Sequence, residues 1–353
     1  MIRFGLIGCG KIGERHAKLL AGNHIKDAKL TALFDVNIDR SDSLAKLYGA
    51  KVYPSLEGMM SSGEIDAVSV LTPSGLHADN ILQIAAFGKP IVVEKPLALT
   101  LDDADRIIEA CDRSRTKVFV VKQNRFNLPV QALRKALDAG RFGKLVLGTV
   151  RVRWCRRQDY YDQAKWRGTW AYDGGVLANQ ASHHVDLLEW MMGPVDTVYG
   201  VASKALANIE AEDTAAVILK FRNGALGIIE ATTATRPKDL EGSLSILGEH
   251  GAVEIAGFAV DKLKTWQFST ASTEDQSIFE THGSNPQHPA GYGHAKYYEH
   301  VVDCIQNDHP QLVDGLVGRR SLELISAIYE SIESKKEVNL RFRPEKCRLG
   351  LIS

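Results

Sequence analysis

A glutamate and a lysine stand where a short apolar segment ends, in residues 91–96 (IVVEKP). A continuous β-branched segment of this length is typical of a buried parallel strand. Proline ends the strand because it has no N–H group to donate to a neighbouring strand. Glu94 and Lys95 therefore lie at the carboxyl end of a strand, where open α/β sheets bind their ligands. Lys95 is the first candidate catalytic residue.

A second polar pair, Asn179 and His183, lies in an otherwise apolar segment, residues 174–188. The segment predicts a helix that begins at a glycine pair, and residues four apart share one face of a helix. The amide and the imidazole must either satisfy each other or face a ligand, and the spacing alone leaves both interpretations open. A histidine titrates near neutral pH, so His183 is a candidate general base.

The N-terminus carries a dinucleotide-binding pattern, because a predicted strand (2–7) leads directly into Gly8-Cys9-Gly10-Lys11-Ile12-Gly13 and then into an amphipathic helix. The first glycine permits a tight turn, the second lets the backbone approach a pyrophosphate, and the third allows close packing of helix on strand. The N–H groups at the start of the helix would hold the phosphates.

A second predicted strand, 30–34, ends in Asp35, which lies 22 residues beyond Gly13. An acid at this place hydrogen-bonds a ribose 2′-hydroxyl and repels a 2′-phosphate, so the sequence favours NAD over NADP. Arg40 lies close enough in sequence to leave NADP as an alternative.

Strands and helices then alternate up to residue 121, which predicts a doubly wound parallel sheet of the Rossmann type with about six strands. The loops at 72–77, 94–97 and 122–125 leave the carboxyl edge of this sheet. We therefore assign residues 1–122 to a cofactor-binding domain.

Residues 123–353 show a different pattern and predict an α+β domain with a large, mostly antiparallel open sheet. Alternation of apolar and polar residues at 146–154 is typical of a half-buried strand, and Asn223-Gly224 predicts a hairpin. We expect a polar loop at 270–290 and helices near 293–306 and 318–334. Further strands are predicted at 197–205, 214–221, 225–235, 243–247, 252–255, 262–268 and 338–342.

Composition excludes several classes of function. The 43 basic and 43 acidic residues balance, so net charge gives no support to a nucleic-acid or membrane-surface partner. No apolar segment approaches the length of a membrane span. Five scattered cysteines without a CxxC pair suit reduced thiols, and together with an N-terminus unlike a secretory signal they predict a cytoplasmic protein. Histidines 282, 288, 294 and 300 recur every six residues, but no carboxylate cluster accompanies them, and we expect no metal.

These motifs together resemble the Gfo/Idh/MocA oxidoreductases. The resemblance is carried by the glycine motif, Asp35, Glu94-Lys95-Pro96 and the segment with Asn179 and His183, in that order over nearly the whole chain. It implies that Lys95 and His183 face a nicotinamide across an interdomain cleft and that the protein is a homotetramer. Many members of the family have Asp where this chain has Asn179, which keeps a hydrogen bond but brings no charge.

Further segments resemble one subgroup, the UDP-N-acetylglucosaminuronate 3-dehydrogenases. That resemblance implies NAD-dependent oxidation of the carbon 3 hydroxyl of a UDP-linked N-acetylglucosaminuronic acid, on the route to diacetamido-uronic acids of surface polysaccharide. Two alternatives stay open: a family dehydrogenase of a free sugar, glycoside or inositol, and a non-catalytic NAD-binding sensor. The segments are 120–125 (VVKQNR), 165–170 (KWRGTW), 179–183 (NQASH), 212–214 (EDT), 240–243 (LEGS) and 292–294 (YGH).

Oxidation of a secondary alcohol needs a base for the hydroxyl proton and a positive charge beside the developing alkoxide. We assign the first role to His183 and the second to Lys95, with Asn179 as a further catalytic residue. Arginine binds carboxylates and phosphates bidentately, although each cation could equally be solvated, and the aromatic residues could equally pack in the core. The predicted cofactor-binding residues are Gly8, Gly10, Lys11, Ile12, Gly13, Asp35, Arg40, Thr72, Pro73, Ser74, His77, Glu94, Lys95, Gln123, Trp166 and Arg167; the predicted substrate-binding residues are Lys95, Asn124, Arg125, Tyr161, Lys165, Asn179, His183 and Tyr292.

Overall fold

The structure is a computed structural model that describes residues 1–22 and 24–340. The first part of the chain alternates strands and helices. These are β1 (Ile2–Ile7), α1 (Lys11–Ala21), β2 (Ala28–Phe34), α2 (Ile38–Tyr48), β3 (Lys51–Val52), α3 (Leu56–Ser61), β4 (Ala67–Val70), α4 (His77–Ile84), β5 (Ile91–Val93), α5 (Leu101–Arg113) and β6 (Val118–Val120).

The six strands form one parallel sheet in the order β3-β2-β1-β4-β5-β6, which confirms the predicted doubly wound architecture. Strands β4, β5 and β6 are buried on both faces, as expected for a parallel sheet covered by helices. Two helix ends are capped by residues that suit these places. The Thr100 hydroxyl caps α5 by accepting from the Asp103 backbone N–H at 3.1 Å, and Gly49 ends α2 with a φ of +70°.

The second part of the chain builds the larger sheet. Its elements are α6 (Leu128–Asp138), β7 (Leu145–Arg153), α7 (Gln158–Asp162), α8 (Ser182–Met192), β8 (Val195–Ser203), β9 (Thr214–Phe221), β10 (Leu226–Thr232), β11 (Glu241–Gly248), β12 (Gly251–Ala256), β13 (Lys262–Phe268), α9 (Ile278–His282), α10 (Tyr292–Gln306), α11 (Gly315–Ser334) and β14 (Val338–Asn339).

Eight strands lie in the order β13-β12-β11-β7-β10-β9-β8-β14, and every neighbouring pair is antiparallel except β7 and β10. The prediction of a mostly antiparallel open sheet is thus confirmed. Helices α8 and α11 cover one face with buried side chains such as Leu188 and Ile328. The other face exposes a row of apolar side chains, Tyr199, Ile218 and Ile228, which are register partners on three adjacent strands.

Three local predictions differ from the structure. The helix expected over 174–188 begins only at Ser182, and turns precede it. The segment 270–290 is not a plain loop, because it contains α9 and a short 3₁₀ helix, Thr273–Gln276. The strand expected over 338–342 forms as β14 against β8, and residues 341 and 342 lie outside the described residues. Helices α3 and α7 were not predicted, since each has barely one turn and no periodic pattern.

One late helix packs against the first sheet. Tyr298 of α10 is fully buried, and its ring meets the Phe4 ring edge-on at 5.5 Å. Tyr297, Val301 and Cys304 join the same apolar cluster as strands β1 and β2. The predicted division at residues 122 and 123 falls between the two sheets, but α10, from the second part of the chain, packs on the first sheet. Within the described residues, no helix has the length and apolar character that crossing a bilayer requires.

Candidate active site

The glycine motif forms the turn between β1 and α1. Gly8 has a φ of +99°, and a Cβ there would lie 2.9 Å from the Leu71 backbone. A Cβ on Gly13 would lie 2.3 Å from the Gly8 carbonyl oxygen, so helix and turn pack too closely for a side chain. Around Gly10, by contrast, no described atom beyond its two chain neighbours lies within 4 Å of the Cβ position. Gly10 therefore borders open space, where a pyrophosphate can approach the backbone.

Substitution of these two glycines by alanine gives opposite results. Gly10→Ala leaves the thermal unfolding temperature unchanged, because its φ of −76° suits alanine, but weakens NAD binding about tenfold by blocking the phosphates. Gly13→Ala lowers the free energy of unfolding by about 2 kcal/mol through the clash with Gly8. Calorimetric titration with NAD and thermal melts measure both effects. Unchanged NAD affinity in Gly10→Ala would place the phosphates elsewhere.

Asp35 lies half-buried beside the glycine turn. Its Oδ2 accepts from the Cys9 backbone N–H at 2.7 Å, and its Oδ1 accepts from the Asn37 backbone N–H at 2.8 Å. A carboxylate has about four lone-pair directions, so it can still accept from ribose hydroxyls. Arg40 is exposed on α2, and Lys11 and Ile12 lie in the first turn of α1. The Lys11 ammonium donates to Gln163 of the second domain.

The loop after β4 contains Thr72, Pro73 and Ser74 and leads into α4. At its end His77 is buried, with Nδ1 2.8 Å from the Pro96 carbonyl and Nε2 3.0 Å from the Thr72 carbonyl. Burial lowers the pKa of His77, so a neutral ring donates to one of the two carbonyls at a time. His77 thus connects the loops after β4 and β5, and its contact with the cofactor stays a prediction.

The Glu94 carboxylate is hydrogen-bonded within the protein, and its contact with the cofactor stays a prediction. Its Oε1 lies 3.0 Å from His16 Nε2, and its Oε2 accepts from the Lys95 backbone N–H at 3.1 Å. Burial would raise the pKa of Glu94, but the hydrogen bond from His16 and the neighbouring charges outweigh it and hold the pKa below its ordinary value. His16 Nδ1 in turn lies 2.6 Å from the Tyr298 hydroxyl of α10.

The four regularly spaced histidines do not gather. Only His294 joins a group that could hold a cation, because its ring lies with His16 and Glu94 and their donor atoms all fall within 4.8 Å of one another. Glu94 and His16 already hydrogen-bond each other directly in this group. His282 and His300 lie elsewhere, on α9 and near Cys304.

Lys95 lies half-buried in the cleft between the two sheets. Its ammonium donates to the Asn179 backbone carbonyl at 2.7 Å and to Asn179 Oδ1 at 3.0 Å, and Asn179 Nδ2 donates to Asp173. Burial lowers the pKa of Lys95, opposed by the charges of Glu94 and Asp173. Asn179 thus accepts from a lysine and donates to a carboxylate. An aspartate at this place could only accept, so Asp173 gives a physical reason for the amide.

His183 lies in the first turn of α8. Its Nε2 is 3.0 Å from Gln123 Nε2, and its Nδ1 is buried with no hydrogen-bond partner among the described residues. Burial lowers the pKa of His183 well below its ordinary value, and the charges of Lys95 and Lys122 add to the effect. The imidazole is therefore neutral near pH 7 and able to accept a proton.

The structure corrects the expectation that Arg125 is free to bind a substrate anion. Its guanidinium donates to both oxygens of Asp186 at 2.8 Å and lies 4.6 Å from the Trp190 ring, fully enclosed. Asn124 beside it is buried too. Sequence reasoning could not find this pair, because its two residues are 61 positions apart.

Three further predicted residues, Tyr161, Lys165 and Arg167, line an open hollow of about 550 Å³ in the second domain. Lys165 is exposed there, and Arg167 lies 4.3 Å from the Tyr160 ring and 4.7 Å from the Trp166 ring. Tyr161 is buried at its wall with its hydroxyl 2.9 Å from that of Thr233. Lys204 adds a cation that the sequence did not indicate. Tyr292 lies at the start of α10 and is half-buried.

Two functional candidates were missed from sequence. Asp173 is buried, its Oδ2 accepts from the Gly168 backbone N–H at 2.8 Å, and burial raises its pKa. Its only sequence signal was its place directly before the glycine pair. Lys122 is buried between the two domains, and its position after a strand looked like any loop lysine.

The site combines a dinucleotide-binding turn, a half-buried lysine at the carboxyl edge of the sheet and a neutral histidine from the second domain. These features define a class, the nicotinamide-dependent oxidoreductases. Residues 2–122 match the oxidoreductase family's NAD-binding Rossmann fold, and residues 134–340 match its C-terminal alpha/beta domain. The chain belongs to the Gfo/Idh/MocA oxidoreductase family, and it is an NAD-dependent dehydrogenase acting on CH–OH groups.

Individual relatives agree with this assignment. The WlbA dehydrogenase from Bordetella pertussis, solved with NADH and UDP-GlcNAcA, superposes with a TM-score of 0.91 at 40% identity and covers 97% of this chain and 98% of its own. The inositol 2-dehydrogenase of Rhizobium meliloti (strain 1021) is 31% identical over 71% of this chain and 74% of its own. The myo-inositol 2-dehydrogenase of Thermotoga maritima is 26% identical over 96% of this chain and 98% of its own.

Proposed function

We propose that this protein oxidises the carbon 3 hydroxyl of a UDP-linked N-acetylglucosaminuronic acid to the 3-keto sugar. The observation that carries the proposal is the 40% identity over nearly the full length to a dehydrogenase solved with NADH and UDP-GlcNAcA. The site supports it, since Lys95 and His183 approach one cleft from the two domains.

Each side chain then has one task. His183 takes the hydroxyl proton, and the Lys95 ammonium stabilises the negative charge that develops on the oxygen. Asn179 holds Lys95 through two hydrogen bonds and is itself held by Asp173. Bound NAD supplies the hydride acceptor. Gly8, Gly10, Gly13 and Asp35 would hold it, because the turn leaves open space at Gly10 and a carboxylate at the end of β2.

The hollow in the second domain suits the anionic part of this substrate. A UDP-uronate carries a diphosphate and a carboxylate, and cations outnumber acids in the lining of the hollow. The cations are Lys165, Arg167 and Lys204, and the acids are Asp162 and Glu210. Arg167 Nε is buried with no hydrogen-bond partner among the described residues, so it can still donate to a ligand. We assign Trp166 and Tyr161 to the walls.

We place the reaction in the cytoplasm, in the supply of diacetamido-uronic acids for surface polysaccharide. The described cysteines, Cys9, Cys111, Cys155 and Cys304, are free thiols, which suits a reducing compartment.

We propose further that the protein is a homotetramer joined through the exposed face of the second sheet. Ile218 is 59% exposed in the middle of the apolar row with Tyr199 and Ile228, and large exposed apolar patches mark interaction sites. Ile218→Asp shifts the molar mass measured by light scattering to a smaller assembly. Leu47→Asp, at an exposed apolar position on α2, keeps the wild-type mass. A wild-type monomer, or an unchanged mass for Ile218→Asp, contradicts the proposal.

Oxidation of a free inositol is the second candidate, favoured by the identity to inositol 2-dehydrogenases. A non-catalytic NAD-binding sensor is the third, but Lys95 and His183 are both present, which disfavours it.

The test mixes purified protein with NAD and, separately, UDP-GlcNAcA, UDP-GlcNAc, free N-acetylglucosaminuronic acid and myo-inositol, and follows the absorbance of NADH. 2-Oxoglutarate is added in parallel as a hydride acceptor, because NADH that stays bound would otherwise halt turnover. We expect a 3-keto product from UDP-GlcNAcA alone. Turnover of myo-inositol without turnover of UDP-GlcNAcA would refute the proposal.

A further inference from the structure

Three side chains of the loop after β6, Lys122, Gln123 and Arg125, contact residues at the start of α8. We call this group of side chains the clasp. Lys122 Nζ lies 3.6 Å from Asp186 Oδ1, Arg125 donates to both Asp186 oxygens, and Gln123 contacts His183. Asp186 is three residues beyond His183, so the two side chains lie on one side of the helix. The clasp therefore joins the last loop of the first sheet to the residue assigned as the base.

Ion pairing with Asp186 does not by itself explain why a lysine is buried at position 122. Its side chain is only 3% exposed, and a buried ammonium is costly unless it is paired. Asp186 already has Arg125 as a bidentate partner at 2.8 Å, and the charges of Arg125 and Lys122 keep its pKa at about 2 against the effect of burial. One carboxylate thus faces two cations, and a net positive charge remains close to His183.

We propose that Lys122 is a positioning residue for the reaction: held on Asp186 beside the imidazole, its charge disfavours protonation of His183 and keeps the base able to accept the substrate proton. The charged groups that face His183 are Lys95 and Glu94 from the loop after β5, Lys122 from the loop after β6, and Asp186 from α8. The two lysines lower the pKa of His183, and the two carboxylates raise it.

Another acid in this region does not cancel the charge of Lys122. Glu189, one turn further along α8, is buried, and burial together with the charge of Asp186 raises its pKa to about 8. It is therefore mostly protonated at neutral pH. Arg320, the remaining charged neighbour of Glu189, lies on α11.

The inference rests on the proposed function only in taking His183 as the base. Lys122→Met removes the charge but keeps most of the apolar stem, whereas Lys122→Arg keeps the charge. A cation lowers a histidine pKa, so its removal raises that pKa. We expect the acid limb of the kcat/KM profile of Lys122→Met to move to higher pH by about one unit, with the Lys122→Arg limb at the wild-type position. Lys29→Met, at an exposed lysine of β2, serves as the matched control and leaves the limb unchanged.

The ring of His183 is also titrated by NMR, with its signal assigned from the His183→Asn spectrum, so the readout does not depend on turnover. A parallel rise of the ring pKa in Lys122→Met supports the inference. An unchanged ring pKa and acid limb overturn it, and so does a rise of KM that is equal at every pH, which would make Lys122 a substrate anchor. If Lys122→Met does not fold, Lys122→Gln is measured in the same way. If the proposed function is wrong, the wild type does not turn over UDP-GlcNAcA. The titration of the His183 ring still decides the role of Lys122 in that case.

Discussion

Lys95→Met lowers kcat by about a thousandfold while NAD affinity stays close to that of the wild type. We assign the ammonium to the stabilisation of the alkoxide, and methionine fills its space without a charge. The Asn179 carbonyl and Oδ1 lose their donor in the variant, so a small loss of stability accompanies the loss of rate. Stopped-flow measurement of NADH formation, with NAD affinity from calorimetry, separates chemistry from binding.

Lys89 provides the matched control, because it lies just before the other end of the same strand. Its ammonium donates to the Ile65 carbonyl at 2.8 Å, far from the carboxyl edge. Lys89→Met costs about 1 kcal/mol of stability through the lost hydrogen bond and leaves kcat unchanged. A Lys95→Met variant that binds NAD and keeps full activity would remove Lys95 from the mechanism.

His183→Asn lowers kcat by about two to four orders of magnitude, because asparagine keeps a hydrogen bond but cannot take the proton. The wild-type rate depends on neutral imidazole. Burial and the two neighbouring lysines hold the pKa of His183 well below its ordinary value, so wild-type activity persists to lower pH than a free imidazole with a pKa of about 6.5 would allow. In His183→Asn the break between the acid limb and the plateau disappears, because the residual rate rises with hydroxide concentration over the whole pH range.

His184 allows the same substitution one residue away. Its ring packs edge-on against Trp154 at 5.7 Å in the core, and burial lowers its pKa to about 4, so it too is neutral at pH 7. His184→Asn is expected to lower the unfolding temperature but to keep the acid limb of the profile. If instead both variants lost activity equally at every pH, His183 would be a structural residue and not the base.

Much of the fold could be predicted, because the pattern of apolar and turn residues in the sequence matches the strands and helices of the structure. The bounds of β9 and β13 match the predicted ones, since alternation and turn residues both define these strands. The start of α8 could not be predicted, because the segment 174–181 is apolar enough for a helix. A Cβ on Gly175 would lie 2.1 Å from Glu212 Oε2, so tertiary packing decides where the helix begins.

The candidate site was predicted wherever strand ends place residues at one edge of a sheet, as for Gly10, Asp35 and Lys95. The partners of these residues were not, because they come from distant parts of the chain. Arg125 looked like a free cation until Asp186 was seen to enclose it. Asp173 and Lys122 carry no motif, and only the packed structure brings them next to Asn179 and His183.

The packing of α10 on the first sheet has a consequence for biosynthesis. The strands of the cofactor-binding sheet are complete by residue 120, but the side chains that cover Phe4 and the neighbouring strands arrive with Tyr297, Tyr298 and Val301. A nascent chain that has emerged only to residue 122 thus leaves part of one apolar face of that sheet uncovered. The strands of the cofactor-binding sheet emerge first from the ribosome. The α10 side chains that complete its core follow only after almost all of the second sheet has emerged.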